Sequence, residues 1–153
     1  MSGSPALRAF GKHWMKPLTL VALVVPGAWL ALQWTLLLSN QAHVMGFNPV
    51  EWTHRYLGEI AIRVLLITLA VTPVRDLTGW APVALIRRRI GLAAFFYSAL
   101  HILAYLWLDL AWSLVKLWED VVLRTYITFG MAAFALMIPL TATSTNGMIR
   151  RLG

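Results

Sequence analysis

The sequence predicts an all-α fold, a polytopic transmembrane helical bundle, and three observations carry that expectation. Hydrophobic residues make up 59% of the chain and charged residues only 12%, whereas a soluble domain is nearer half apolar and a quarter charged. Four apolar runs are each long enough to cross about 30 Å of hydrocarbon as a helix. The net charge of +7 gathers in short clusters at the ends of those runs, as in a chain whose partner is an anionic lipid bilayer. That clustering excludes a nucleic-acid partner, which would require a basic face on a soluble fold. There is no cysteine, so a disulfide framework and a cysteine-held iron–sulfur cluster are excluded as well. Any metal or cofactor must use histidine, carboxylates or backbone.

The first run, Pro17–Leu38, follows a basic arm, residues 1–16, that carries Arg8, Lys12 and Lys16. Its apolar length of about 22 residues exceeds a signal-peptide core and no A-x-A site follows, so it is expected to be retained. The second run, Leu57–Val74, and the fourth, Tyr126–Ala142, are short and are expected to end near Pro73 and Pro139, because proline removes a helix hydrogen bond. The third, Ile90–Leu110, follows Arg87, Arg88 and Arg89. Short interfacial turns are expected in the loops Asp76–Arg87 and Glu119–Arg124.

Direction across the membrane follows from Lys and Arg. Nine lie on one side: Arg8, Lys12, Lys16, Arg75, Arg87, Arg88, Arg89, Arg150 and Arg151. Three lie on the other: Arg55, Lys116 and Arg124. Both termini are therefore expected in the cytoplasm. Trp34, Trp52, Trp107, Trp112 and Trp118 mark the outer boundary, and Trp14 and Trp80 the inner one.

Ionisable residues inside spans are costly and rare, so each is a candidate for function. Glu59 and Arg63 are four residues apart and share a helix face. They form either a local ion pair near the outer surface or a pair turned into the bundle, where Arg63 meets an anionic group such as a cofactor carboxylate; the cost of an unpaired charge in lipid makes both expected to face the bundle. His101 lies about 16 Å along its helix from Ile90, near mid-bilayer. It is either a core histidine held by hydrogen bonds, with Ser98 as one candidate partner, or a neutral imidazole ligand to haem iron. Gly91, Ala94, Ser98 and Ala104 leave space on its flank for a flat macrocycle, although small residues also serve helix packing. Arg87 precedes His101 by fourteen residues, about 21 Å on roughly one face, a spacing that suits two stacked cofactors; its plain reading is a positive-inside charge. His13, His43 and His54 lie in the arm, the outer loop and the mouth of the second helix. Of these, only His54 is placed to approach the outer side of a haem.

The stretches "LLITLAVTPVRDL" (65–77), "IRRRIGLAAFFYSALHILAYLWLD" (86–109), "RTYITFG" (124–130) and "TATSTNGMIRRLG" (141–153), in this order and spacing, resemble the MsrQ/YedZ family of the ferric-reductase-like transmembrane group. The resemblance covers roughly residues 50–153. It implies a haem b-binding subunit of the bacterial inner membrane, with FMN also attributed to the family. In that role electrons come from the quinone pool or a cytoplasmic flavin reductase. They go to a periplasmic molybdopterin-containing reductase that repairs oxidised methionine. The family's helix histidine falls on His101, as axial ligand to haem iron. Ferric-reductase relatives often carry a second histidine where this chain has Arg87, which makes Arg87 a candidate contact for a second haem. The family continues past "RRLG" into further helices and histidines, about six helices in all, and those supply other axial ligands. Residues 17–153 are thus expected to form a transmembrane domain incomplete at its C-terminus. Haem bound by His101 is then expected to be weakly held or five-coordinate, or to borrow His54 or a ligand from another chain. Two other readings stand beside this one, a non-redox membrane scaffold or transporter component and a non-functional truncated fragment.

Overall fold

The structure, a computed structural model, describes residues 14–79 and 83–144. Arg8, Lys12, His13, Trp80, Arg150, Arg151 and the side chain of Lys16 lie outside the described residues. The described elements are α1 (Met15–Leu38), α2 (Pro49–Thr78), α3 (Ala84–Ala104), a π-helical turn (Tyr105–Asp109), α4 (Leu114–Leu123) and α5 (Thr125–Thr143). The four expected spans are present: α1, α2, α5, and α3 together with its π turn are long and apolar enough to cross a membrane.

α2 runs well beyond its expected ends, and α5 beyond its own by one residue at each end. α2 begins at Pro49 because Asn48 caps it, its Oδ1 accepting the Glu51 N–H at 3.2 Å, and proline suits the first helical position. It continues through Pro73 to Thr78 and closes at Gly79, whose φ of 66° is the left-handed conformation that glycine adopts freely. α5 likewise continues through Pro139 to Thr143. Lipid offers an unpaired backbone group no partner, which favours the helical form on both sides of a proline.

α2 and α3 form the core. Val64 and Val71 pack with Ile90 and Ala94, and Leu57 and Ala61 pack with Tyr97. Ala94 is wholly buried, and a side chain at Gly91 would press on Thr68 Cγ2. Small residues of this kind let membrane helices gain packing energy that lipid alone does not supply. α1 is tied on by hydrogen bonds. The Tyr97 hydroxyl donates to the Leu23 carbonyl at 2.6 Å and accepts the Gly27 N–H at 2.9 Å. Tyr56 donates to the Pro26 carbonyl at 3.0 Å, and Trp34 Nε1 donates to Thr53 Oγ1 at 3.1 Å. Tyr97 thus enters the α1 ladder next to Pro26, where helices bend most readily. α5 joins α3 through the stacked rings of Phe95 and Phe134, 5.2 Å apart.

The Trp residues expected at the outer boundary divide into two groups. Trp107, Trp112 and Trp118 are exposed. Trp34 is bonded to α2, and Trp52 stacks on Tyr56 at 4.9 Å.

Candidate cofactor site

His101 lies in the half of its span nearer Asp109. Its ring packs over the one place on α2 without a side chain: a Cβ at Gly58 would stand 3.3 Å from His101 Cε1. The ring also rests against the backbone of His54. Its Nδ1 is buried and has no hydrogen-bond partner. Ser98, a candidate partner by sequence, instead donates to the Ala94 carbonyl of its own helix at 2.9 Å.

His54 stands in an early turn of α2, one helical turn before Gly58. Its ring centre is 6.0 Å from that of His101, with the planes at 85°, and 5.8 Å from that of Tyr105. His54 Nε2 lies 2.7 Å from Asp109 Oδ2. No aligned hydrogen bond forms there, so the contact is one of charge proximity, with the carboxylate off the ring N–H direction. His54 Nδ1 is buried and without a partner.

Asp109 reaches His54 because the third span ends in a π turn. In an unbroken α-helix, residues eight apart are about 80° out of register. The wider turn, closed by the Leu110 N–H on the Tyr105 carbonyl at 3.2 Å, takes up one extra residue. That rotates Asp109 by about 100°, back to within roughly 20° of the His101 direction. Tyr105, from the same turn, donates to Asp120 Oδ2 at 2.5 Å, and Asp120 Oδ1 pairs with Arg124 Nε at 3.2 Å. A hydrogen bond to the Tyr126 hydroxyl and the Asp120 carboxylate hold the Arg124 guanidinium above its ordinary pKa, so it stays charged at any working pH.

His54, His101 and Asp109 line one cavity of about 910 Å³ between α2, α3 and α5. Its walls are mainly apolar, with Ile62 and Leu65 of α2, Ile102 of α3, and Met131, Phe134 and Met137 of α5.

Residues 57–153 match the family described as ferric reductase like transmembrane component. The chain belongs to that family. It is also similar to proteins named protein-methionine-sulfoxide reductase heme-binding subunit MsrQ. The protein of that name from Xanthomonas campestris pv. campestris (strain 8004) is 44% identical over 131 residues, 86% of this chain and 60% of that protein. The one from Rhodospirillum rubrum is 51% identical over 109 residues, 71% of this chain and 52% of that protein. The one from Herminiimonas arsenicoxydans is 42% identical over 139 residues, 91% of this chain and 61% of that protein. The chain therefore spans about half to three fifths of the length of these curated relatives. No solved structure matches it. Its four apolar spans make this ferric-reductase-like chain a multi-pass membrane protein.

Of the other residues singled out from the sequence, Ser98 lines the cavity, while Arg87, His43, Glu59 and Arg63 lie apart from it. Arg87 is exposed near the start of α3, at the opposite end of the helix from Asp109. His43, in the loop before α2, does not line the cavity. Glu59 and Arg63 form the expected i,i+4 pair at 2.8 Å, but their side chains are 52% and 64% exposed. The expectation that the pair faces the bundle is not met among the described residues. The reason is the helix period: Leu57, Ala61 and Val64 are the buried face of α2, and Glu59 and Arg63 lie on the other side. Sequence reasoning missed Asp109 as a site residue. As the last acid before a loop it had only the signal of an end charge.

Proposed function

We propose that this chain is the haem b-binding part of an electron-transfer subunit in the bacterial inner membrane. In this reading it passes electrons from quinol or a cytoplasmic flavin reductase to a periplasmic, molybdopterin-containing methionine-sulfoxide reductase. Both termini are cytoplasmic, so the cavity opens toward the periplasmic half of the membrane.

The observation that carries the reading is His101, an imidazole inside an apolar span that lines a large apolar cavity and has a buried, unpartnered ring nitrogen. A buried polar nitrogen without a partner costs free energy, and a metal–nitrogen bond would remove that cost. The cavity volume is within the roughly 300–1,000 Å³ of small-molecule and cofactor sites. Among the described residues no group of three or more His, Cys, Asp or Glu could hold a metal ion. Bare zinc takes about three or four protein ligands. A macrocyclic metal brings its equatorial donors and needs only axial ones, so the residues present fit haem.

Haem, when bound, supplies the one-electron chemistry. His101 holds it on a rigid span, and Gly58 gives the imidazole its place. The apolar walls would exclude water and, with the His101 imidazole, would tune the reduction potential of the bound group. The same resemblance makes Arg87 a contact for a second haem near the cytoplasmic end.

The test is the absorption spectrum of the purified chain in detergent after haem addition. A reduced b-type spectrum with a sharp α band, lost in His101→Ala, is the expected result. An unchanged spectrum in His101→Ala would reject the assignment.

A further inference from the structure

A second hollow, of about 430 Å³, lies over the early turns of α2. Its level is set by the contact of His54 with Asp109, because Asp109 ends the third apolar span. Arg55 follows His54, so the hollow stands where hydrocarbon gives way to lipid headgroups. We propose that it binds the head of a zwitterionic phospholipid with a primary ammonium, a phosphatidylethanolamine. The inference needs only the membrane-spanning fold and is independent of the haem reading.

Charge carries it. Glu51, Arg55, Glu59 and Arg63 recur every four residues on α2 with alternating sign, and all are exposed. The first three line the hollow. Residues four apart lie one above another on a helix, about 6 Å along its axis. The Arg55 guanidinium has no hydrogen bond or ion pair among the described residues. Each carboxylate is only half engaged. Glu51 Oε2 accepts from Asn48 Nδ2 at 3.3 Å, and Glu59 Oε2 pairs with Arg63 at 2.8 Å. The Oε1 of each is free among the described residues. Glu59 lies about 6 Å deeper than Arg55, inside the span, where a charge that meets only acyl chains is costly. A headgroup drawn into the hollow removes that cost. Its phosphate meets Arg55, whose planar fork takes two phosphate oxygens at once. Its ammonium meets the free oxygens of Glu51 and Glu59.

The primary ammonium decides the lipid class. With three N–H donors it can bond both carboxylates, as a lysine head does, whereas a trimethylammonium head has no donor. A glycerol head carries no cation, and its net negative charge is opposed by the carboxylates. The walls agree with this level in the membrane. Trp52 and Tyr56, stacked at 4.9 Å, line the hollow, and such rings favour the headgroup region. Below, Ile62, Leu66 and Leu69 are exposed along α2 and offer a track for an acyl chain. Asn48, Glu51 and Arg55 form the ridge between this hollow and the larger cavity, whereas Trp52, Tyr56 and Glu59 belong to the hollow alone.

The experiment is native mass spectrometry of the 153-residue chain in detergent. Phosphatidylethanolamine, phosphatidylcholine and phosphatidylglycerol with matched acyl chains are added in equal amounts. The first should be bound in about fivefold excess over either of the others, the worth of about one net hydrogen bond. Arg55→Gln should cut its binding by a similar factor. Glu51→Gln combined with Glu59→Gln removes both carboxylates and leaves Arg55 and Arg63, so the preference should reverse toward phosphatidylglycerol. Misfolding cannot produce that reversal. Lys116→Gln, on α4 and outside the hollow, should match wild type. Soluble phosphoethanolamine should compete poorly, because the acyl chain is part of the fit; full competition would make the ligand a soluble phosphoamine and overturn the lipid site. Equal binding of the three lipids by the wild-type chain, or a preference that survives the double Gln variant, rejects the inference. So does a dimer that the double variant dissolves without any lipid preference, since this face of α2 is then an interface between copies.

Discussion

Gly58 determines where the His101 ring can sit, because the imidazole occupies the space a side chain on α2 would take. A methyl at 3.3 Å from Cε1 is tighter than ordinary van der Waals contact, so the ring must tilt or the helices must part. Gly58→Ala is expected to weaken haem binding several-fold with helical content unchanged, and Gly58→Val to abolish it; haem titration beside circular dichroism measures both. Equal affinity in Gly58→Val would show that the ring is not confined there. His101 itself was legible in the sequence because a titratable group in an apolar run stands out by its cost. Gly58 was not, since a lone glycine in a helical run has many explanations. The Glu59–Arg63 pair was legible as a pair, but its outward direction needed the packed face of α2 to be known.

At the scale of elements, the four spans were legible because apolar length alone nearly fixes them. Their ends were not. In a soluble protein a proline such as Pro73 or Pro139 tends to end a helix, whereas the absence of water keeps a membrane helix intact across it. The π turn at Tyr105–Asp109 was invisible for a different reason: it changes the angle of Asp109 without changing the composition of the run. α4 has its own consequence. Its Leu114, Val115, Trp118 and Val122 are exposed along one side, with Lys116 and Glu119 elsewhere around the helix. At ten residues it is too short to span, so it is expected to lie along the membrane surface with the apolar side in the lipid boundary. The natural absence of cysteine makes this directly measurable. A single cysteine at Glu119 should react rapidly with an aqueous maleimide, and one at Trp118 should react slowly; equal rates would place α4 in water. The link from α1 to the bundle is equally specific. Tyr97→Phe removes the hydroxyl that meets Leu23 and Gly27 and is expected to cost about 1 kcal/mol, read as earlier unfolding in a denaturing-detergent titration.

For the molecule as a whole, the distribution of charge decides which end of the cavity faces which compartment. In the proposed orientation Arg75 and Arg87–Arg89 share a side with both chain termini, since four spans would return the chain to its starting side. Positive residues close to spans are retained in the cytoplasm, and nine against three is a wide margin for a chain with only short loops. In the proposed function His54, Asp109 and Arg124 would then stand at the periplasmic end, where a periplasmic acceptor would dock, and Arg87 at the cytoplasmic end, where electrons would enter. The direction of electron flow in the proposed function depends on this arrangement. A fluorescent protein that folds only in the cytoplasm, fused after Gly153, should fluoresce, and a phosphatase that is active only in the periplasm should be silent at the same junction. The reverse pattern is expected for the two reporters inserted in the loop between α1 and α2. Replacing Arg87, Arg88 and Arg89 by Gln lowers the margin to six against three, so the mutant is expected to keep its orientation but with a measurable minority inverted. A phosphatase signal after Gly153 in the unmutated chain would invert the molecule. It would place the cavity on the cytoplasmic side and reject the periplasmic delivery of electrons.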